Sequence, residues 1–385
     1  MPRTIRPALA AISVLVLLTG CAGGPEPTPT GSPAPAASTT TDASPPTTPW
    51  AYDGGTISSL GTPSDLATGL AAPWSVAPLP DGGALVSERD TARILRWHPD
   101  GHVSELATVA GVDAGGEGGL MGLALHAHEG QLTGDAALYA MFTAAADNRV
   151  VRFPLGTEGD ELRLGTPEVI LEGLPRASNH NGGRIAIGPD DLLYVTAGDA
   201  GVPANAQDPG SLGGKILRIG LDGSVPSDNP FGTAVYSMGH RNPQGLAWDG
   251  PGQLWASEFG QDTWDELNRI EPGANYGWPT VEGQVGAEGF VDPVAQWPTN
   301  DASPSGLTWA RGSFFMAALR GRTLWQITIG PDGQATATPW LADSLGRLRD
   351  VVPGGEGQLW VLTNNTDGRG SPNDGDDRLV SVPAT

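Results

Sequence analysis

The chain has 385 residues and a formal net charge of −22 at pH 7. So acidic a composition argues against a nucleic-acid partner, whose phosphates need a basic surface, and against docking on anionic lipid. Cys21 is the only cysteine, so the folded part has neither disulfides nor thiolate metal sites and must rely on its core.

The N-terminal residues have the order of a bacterial export signal. Two arginines precede an apolar run from Ala8 to Leu18, which is shorter than the roughly 20 residues that a membrane-spanning helix needs. The run leads into Leu18-Thr-Gly-Cys21, which resembles a lipobox. The resemblance implies that residues 1–20 are a lipoprotein signal peptide and that Cys21 carries lipid. Ordinary secretion with an idle thiol is the alternative.

The next segment, residues 21–55, is dominated by Pro, Thr, Ser and Ala. This composition is too poor in large apolar side chains to offset the entropy of ordering, and it predicts a disordered, semi-extended tether. We therefore expect an exported protein that is anchored by lipid alone to the outer face of the cell membrane.

Residues 56–385 contain six copies of one pattern, in which three short apolar strands are separated by Gly, Pro and Asp turns. The copies begin near Trp74, Met121, Arg184, Gln244, Gly306 and Leu348. Because no segment has a sustained helical period, the pattern predicts an all-β fold. Six such units predict a six-bladed β-propeller around a central channel, with a β-sandwich as the alternative. The segment from Thr56 to Leu70 is expected to close the ring against the last blade.

Polar residues concentrate in the loops before several units, and in a propeller such loops meet at one mouth of the channel. His180 stands in one of these loops, where we expect its ring to be exposed and able to act as a base. A histidine that is hydrogen-bonded to loop backbone is the alternative. His240 stands in another loop and is interpreted as structural.

Arginines also converge on the predicted channel. Arg347 and Arg349 alternate along one strand and can face the same side, and Arg241 begins another unit. Guanidinium groups around one cavity repel one another unless an anion joins them, so they predict a multiply charged carboxylate or phosphate ligand. Pairing with Asp and Glu is the alternative. No Gly-rich phosphate loop supports a nucleotide, whereas the acidic turns between Ser257 and Pro279 suit calcium.

Five stretches, in order along the chain, resemble the motifs of the glucose/sorbosone dehydrogenase family. They are His180-Asn-Gly-Gly-Arg184, Gly239-His-Arg-Asn-Pro-Gln-Gly245, Asp265-Glu-Leu-Asn268, Gly273-Ala-Asn-Tyr-Gly-Trp-Pro279 and Arg347-Leu-Arg-Asp350. The resemblance extends from about Leu70 to Val382 and is closest to the soluble bacterial aldose sugar dehydrogenases. It implies oxidation of the anomeric hydroxyl of an aldose sugar to a lactone, with pyrroloquinoline quinone (PQQ) and Ca²⁺ as cofactors and an external electron acceptor.

The resemblance also implies roles for individual residues. His180 would take the proton from the anomeric hydroxyl while hydride passes to the quinone, and Arg241 would stabilise negative charge on a quinone oxygen. The implied cofactor contacts are Glu117, Arg241, Asn242, Arg320, Arg347 and Arg349. One calcium is implied on the main-chain carbonyls of Gly260 and Gln261, and a second at Glu266 and the carbonyl of Tyr276.

Four positions depart from the family pattern: Glu117 stands for Gln, Asn179 for Asp, Gln261 for Pro and Arg320 for Lys. Glu117 matters most, because a carboxylate beside an anionic cofactor repels it unless it is protonated or turned onto an arginine.

Two other functions stay open, because fold alone does not fix function. A non-catalytic sugar- or protein-binding propeller would not need His180, and a calcium-dependent lactonase would not need the arginines.

Overall fold

The computed structural model describes residues 56–385 apart from residues 128, 129, 133, 160 and 356. The predicted signal peptide, the tether and Cys21 lie outside the described residues. Within the described part the elements are 25 strands and one helix of four residues, α1 (Ala204–Gln207). None of its helices is long and apolar enough to cross a membrane. The predicted all-β fold is confirmed.

The strands form six antiparallel sheets, which we call blades 1 to 6. The first strand, β1 (Ser64–Ala67), belongs to blade 6. Blade 1 consists of β2 (Pro73–Pro78), β3 (Ala84–Glu88), β4 (Arg93–Trp97) and β5 (Val103–Thr108). Blade 2 consists of β6 (Leu120–His126), β7 (Ala137–Thr143), β8 (Asn148–Glu158) and β10 (Glu168–Leu174), with β9 (Glu161–Leu164) paired to β8. Blade 3 consists of β11 (Ile185–Ile187), β12 (Leu193–Ala197), β13 (Lys215–Ile219) and β14 (Val235–Met238).

The second half of the ring repeats this order of strands. Blade 4 consists of β15 (Pro243–Trp248), β16 (Leu254–Glu258), β17 (Trp264–Arg269) and β18 (Ala295–Pro298). Blade 5 consists of β19 (Pro304–Ala310), β20 (Ser313–Ala318), β21 (Leu324–Ile329) and β22 (Ala335–Trp340). Blade 6 consists of β23 (Leu348–Pro353), β24 (Gln358–Thr363), β25 (Leu379–Pro383) and β1.

One strand of each blade lies nearest the centre, and these inner strands are β2, β6, β11, β15, β19 and β23. Each inner strand contacts the inner strand of the next blade, so the six blades close a ring. The ring is sealed in the last blade, where β1 pairs antiparallel with β25. This arrangement confirms the six-bladed propeller, excludes the sandwich, and confirms that the segment from Thr56 to Leu70 supplies the closing strand. The N-terminal strand thereby joins the start of the described chain to the last blade and covers the edge of β25.

Apolar side chains fill the space between neighbouring blades, and six buried clusters follow one another around the ring. The middle strands are packed on both faces, so β12 and β20 are buried along their whole length. The fourth strands lie at the rim, where β22 is largely exposed and β5 is mostly half-buried. Their weak apolar pattern explains why the sequence predicts only three strands in each unit.

Candidate functional site

A cavity of about 460 Å³ opens at the mouth of the channel, where the loops before the inner strands of several blades meet. Nine of the residues predicted for the site line it: Glu117, His180, Arg241, Asn242, Gly260, Gln261, Arg320, Arg347 and Arg349. The propeller therefore brings together groups that lie as much as 230 residues apart in the chain, from the loop before blade 2 to strand β23.

The loop that carries His180 is held in an uncommon backbone conformation. His180 has a φ of 57°, in the left-handed region that few residues other than glycine adopt. Gly182 and Gly183 also have positive φ, and a Cβ on Gly182 would stand 2.4 Å from the carbonyl oxygen of Thr196. The side chain of Asn242 accepts a hydrogen bond from the Gly182 N–H at 3.0 Å and fixes the loop from the neighbouring blade. Backbone strain of this kind persists where the surroundings over-determine it.

The ring of His180 is held by a buried carboxylate. Its Nδ1 lies 2.7 Å from Oδ1 of Asp199, whose Oδ2 accepts a hydrogen bond from Nε1 of Trp278 at 2.9 Å. Burial alone would raise the pKa of Asp199, but the hydrogen bonds from His180 and Trp278 outweigh it and hold that pKa below its usual value. His180 lines the cavity at the mouth of the channel, but its ring is more shielded than expected, because the side chain is only 12% exposed. The carboxylate, rather than loop backbone, is what holds its Nδ1.

Arg349 is a buried cation with neutral partners. Its guanidinium donates to Oδ1 of Asn364 at 2.9 Å and to Oε1 of Gln244 at 2.9 Å. Among the described residues no carboxylate lies within ion-pair distance of it, and burial lowers its pKa to about 9. A guanidinium that is desolvated without a counter-charge favours an anionic ligand in the adjoining cavity.

The other arginines of the cavity differ in their partners. Arg347 pairs with the buried Asp367 at 3.0 Å, so here the alternative of pairing within the protein holds. Arg241 donates from Nε to Oε1 of Gln261 at 3.2 Å, and burial lowers its pKa below the usual value. Arg320 is exposed at the rim of the cavity. Neither Arg241 nor Arg320 forms an ion pair within the described part of the chain. Both positive charges are therefore available to a ligand.

The negative charge of Glu117 is compensated within the protein. Its Oε1 pairs with the guanidinium of Arg369 at 3.2 Å, and its Oε2 accepts a hydrogen bond from the backbone N–H of His180 at 2.9 Å. The carboxylate is thus held by an arginine, which is one of the two conditions under which Glu is compatible with an anion in the cavity.

Gly260 and Gln261 line the cavity on a turn that two carboxylates hold. The Gly260 N–H donates to Oδ1 of Asp265 at 2.9 Å, and the Gln261 N–H donates to Oε1 of Glu282 at 2.8 Å. Burial raises the pKa of Asp265 to about 6. With the amide hydrogens directed to carboxylates inside the protein, the carbonyls of this turn remain as oxygen donors of the kind that hard cations prefer.

Glu266 and Tyr276 lie outside the cavity, in a buried polar cluster behind it. Asn268 donates from Nδ2 to Glu266 at 3.1 Å, and burial and the nearby Glu258 raise the pKa of Glu266 to about 8. The Oδ1 atom of Asn268 is buried and has no hydrogen-bond partner among the residues that the structure describes. Two carboxylates and an orphaned amide oxygen fit a cation.

His240 belongs to the same cluster and is fully buried. Its Nδ1 lies 2.7 Å from Oε2 of Glu258 and its Nε2 lies 2.8 Å from Oγ of Ser237, while its ring stacks on Tyr276. With both ring nitrogens engaged, the interpretation of His240 as structural is confirmed. No three His, Cys, Asp or Glu side chains converge as a metal site in the described ranges, so a cation here would also need main-chain or amide oxygens.

Comparison with known proteins places the chain in a family. The model of the glucose/sorbosone dehydrogenase family matches residues 70–371, which is most of the chain. The chain belongs to this family. It is therefore an oxidoreductase of the glucose and aldose sugar dehydrogenase type, and the resemblance seen in its motifs is confirmed.

Two of three relatives in the glucose/sorbosone dehydrogenase family match this chain over most of their own length. The PQQ-bound form of an aldose sugar dehydrogenase from Streptomyces coelicolor is 50% identical and superposes with a TM-score of 0.81, covering 85% of this chain and 98% of that one. An aldose sugar dehydrogenase of Escherichia coli is 28% identical over 77% of this chain and 88% of its own length. A quinoprotein glucose dehydrogenase of Acinetobacter calcoaceticus is 34% identical over 60% of this chain and 56% of its own length.

Three residues of the site in this family member escape prediction from the sequence. Asp199 lies in a Gly-Asp-Ala-Gly turn after β12, and this turn is the only signal that could have found it. Asp367 and Arg369 lie in the loop between β24 and β25, where Asp, Gly, Ser and Asn suggest only a loop. Asp199 meets His180, and Asp367 meets Arg347, within a single blade. Arg369 meets Glu117 across blades. Local sequence records none of these contacts.

Proposed function

We propose that this protein oxidises the anomeric hydroxyl of aldose sugars to lactones, with PQQ and Ca²⁺ as cofactors and an external acceptor for the electrons. One observation carries the proposal: a single cavity holds His180, backed by Asp199, and the buried guanidinium of Arg349, whose partners among the described residues are all neutral. A base and an anion site side by side suit a reaction that removes a proton from a hydroxyl group and a hydride from the carbon that bears it.

The cavity lining fits the quinone, which carries three carboxylates. Arg241, Arg320 and Arg349 supply positive charge without an ion pair to the described residues, and Arg347 lies beside them. Asn242, held by the Gly182 N–H, adds a polar contact. Guanidinium groups hold carboxylates through paired, charge-assisted hydrogen bonds, so this set would bind and orient the cofactor. When bound, the quinone supplies the electrophile that accepts the hydride from the anomeric carbon.

The chain's own residues would handle the proton. Asp199 accepts a hydrogen bond from Nδ1 of His180. This leaves Nε2 with the lone pair that takes the proton of the anomeric hydroxyl. The ionised Asp199 then stabilises the imidazolium that forms, as carboxylate partners of catalytic histidines do. The sugar loses one proton and one hydride and becomes a lactone. The two electrons of that hydride are later taken up by the external acceptor.

Calcium would occupy two places. The carbonyls of Gly260 and Gln261 would hold one ion at the cavity, supported by the carboxylates that fix their amide hydrogens. Glu266 and the carbonyl of Tyr276 would hold the other, where the buried Oδ1 of Asn268 has no hydrogen-bond partner in the described part of the chain. Hard oxygen donors of this kind are the ligands that calcium takes.

We further propose that the chain is exported and anchored through lipid on Cys21, with residues 21–55 as the tether. The order of the Arg residues, the apolar run and Leu18-Thr-Gly-Cys21 supports this proposal. The site would then face the medium outside the cytoplasm, where sugars and a soluble acceptor can reach it.

An absorbance titration of the apoprotein with PQQ, in calcium and in chelator, tests the function. We expect saturable binding that depends on calcium, followed by reduction of an artificial electron acceptor when an aldose is added. Protein that binds no PQQ in calcium would favour a binding propeller. Lactone hydrolysis that survives replacement of Arg349 would favour the lactonase.

A further inference from the structure

An ion pair spans the mouth of the cavity between two blades that are not neighbours. Glu117 precedes β6 of blade 2, and Arg369 lies between β24 and β25 of blade 6, with blade 1 between them in the ring. Their side chains approach to 3.2 Å, and both line the cavity. The pair therefore links loops that no backbone hydrogen bonding of one sheet could join.

Both ends of this ion pair are tied to residues of the proposed site. At one end, the other carboxylate oxygen of Glu117 accepts the backbone N–H of His180 at 2.9 Å. At the other end, Asp367 accepts the backbone N–H of Arg369 at 2.9 Å and pairs with the guanidinium of Arg347 at 3.0 Å. One chain of contacts thus runs from Arg347 to the loop of His180.

The charges in this chain of contacts cancel in pairs. Asp367 balances Arg347, and Arg369 balances Glu117. If Arg369 were absent, the carboxylate of Glu117 would face the cavity without a counter-charge and would repel an anionic ligand. The side chain of Arg369 is 50% exposed, so solvent weakens this effect but leaves it measurable at low ionic strength.

We propose that Arg369 is a cofactor-positioning residue, which neutralises Glu117 and clasps the loops of blades 2 and 6 so that the anionic quinone can bind. The inference rests on the proposed function. It explains why a carboxylate at position 117 is compatible with a quinone site, because the positive charge of Arg369 compensates the negative charge of Glu117.

The test is a double-mutant cycle on PQQ affinity, measured by absorbance titration of full-length apoprotein in calcium. Arg369→Ala should raise the Kd for PQQ roughly tenfold at low ionic strength and less at high ionic strength. Glu117→Gln should bind PQQ at least as tightly as wild type. In the Glu117→Gln background, Arg369→Ala should change the Kd by less than about threefold, because no carboxylate remains to be neutralised.

Two further variants separate charge from folding. Arg369→Lys keeps the positive charge and should recover most of the affinity, which a purely structural role of the guanidinium would not allow. Arg163→Ala removes an equally exposed arginine from an ion pair on the β8–β9 hairpin, outside the cavity, and should leave the Kd unchanged. Thermal unfolding of each apoprotein reports whether a variant is folded.

Each outcome decides one point. Wild type that binds PQQ while Arg369→Ala binds it equally well would overturn the inference and leave the proposed function standing. An equal loss in both backgrounds would overturn it as well, since Arg369 would then act independently of Glu117. Wild type that binds no PQQ would overturn the proposed function, and the inference with it.

Discussion

Nδ1 of His180 lies 2.7 Å from Oδ1 of Asp199, although the two residues stand on opposite sides of strands β11 and β12 in the sequence. Asp199 is fixed in turn by Nε1 of Trp278 at 2.9 Å and by the N–H of Gly201 at 2.8 Å. A carboxylate so held selects the tautomer of the imidazole and its orientation. Trp278, in the Asn-Tyr-Gly-Trp-Pro motif of blade 4, thereby helps to orient His180 through Asp199.

The first prediction concerns Asp199→Asn. The amide preserves shape but no longer favours a proton on Nδ1 of His180, so turnover at saturating quinone should fall roughly 10²- to 10⁴-fold. PQQ affinity should change little, because Asp199 does not line the cavity. Steady-state rates with an aldose and an artificial acceptor measure the first quantity, and absorbance titration measures the second. Undiminished turnover would show that Asp199 does not position the base.

The sign of the pH dependence follows from the pKa of Asp199, which is held below its usual value of about 3.9. A lowered carboxylate pKa contributes stability that is present above the unfolded-state pKa and lost as the pH falls through the folded-state pKa. The His180–Asp199 pair should therefore remain intact down to about pH 4. Asp199→Asn should remove this part of the acid sensitivity of unfolding.

The second prediction is that His180→Ala binds the quinone but turns over poorly. Removing a positioned base costs roughly 10²- to 10⁴-fold in rate and leaves contacts elsewhere intact. The Kd for PQQ should stay near that of wild type, while the rate with saturating aldose collapses. His240→Gln is the matched comparison: it alters a buried structural histidine and should lower the unfolding temperature more than it lowers the turnover of folded protein. Equal turnover of His180→Ala and wild type would exclude His180 as the base.

The third prediction is that Arg349→Met loses affinity rather than chemistry. A charged contact in a desolvated site contributes about 2–5 kcal/mol to ligand binding, so the Kd for PQQ should rise at least about thirtyfold. Burial lowers the pKa of Arg349 to about 9, which shows that its charged form is less stable than in water. A bound anion would stabilise that charged form. Turnover should return in part at saturating quinone. An unchanged Kd would remove Arg349 from the anion site.

The inner and middle strands could be predicted from sequence because their burial is recorded in local apolar runs, such as Leu193–Ala197 of the middle strand β12. The outer strand Ala335–Trp340 could not, since it is mostly exposed and its pairing with β21 leaves little apolar trace. At the site, the base and arginines stand in recognisable motifs. Asp199 and Asp367 reach the base and Arg347 through the strand pairing of a single blade. Glu117 reaches Arg369 across blades, and no local pattern encodes contacts of either kind.

The fourth prediction concerns Cys21, which lies outside the described residues. If the Leu18-Thr-Gly-Cys21 order directs lipidation, Cys21→Ser should move the protein from the membrane fraction to the soluble exported fraction. Metabolic labelling with a fatty acid should mark wild type and spare the variant. Cys21→Ser protein that stays in the membrane fraction would contradict the lipid anchor and would point to retention through the uncleaved apolar run.

The fifth prediction concerns Lys215, the single lysine of the chain, which is fully buried at the start of β13. Its Nζ donates to the carbonyls of Asn205 at 2.6 Å, Ala206 at 3.0 Å and Gly213 at 2.8 Å. These carbonyls belong to the segment after Asp199, whose own carbonyl accepts from Asn205. Lys215→Met leaves the three carbonyls without this donor, so the free energy of unfolding should fall by about 2–4 kcal/mol.

The pH dependence of stability assigns this effect to the ammonium group. Burial lowers the pKa of Lys215 to about 8, below its value of 10.5 in the unfolded chain, so the unfolded state binds more protons between these two values. Stability from this group therefore rises as the pH increases from about 8 to about 10, and the rise should be absent in Lys215→Met. Urea unfolding of both proteins across this pH range measures the difference. Parallel curves for the two proteins would mean that Lys215 titrates alike in the folded and unfolded states.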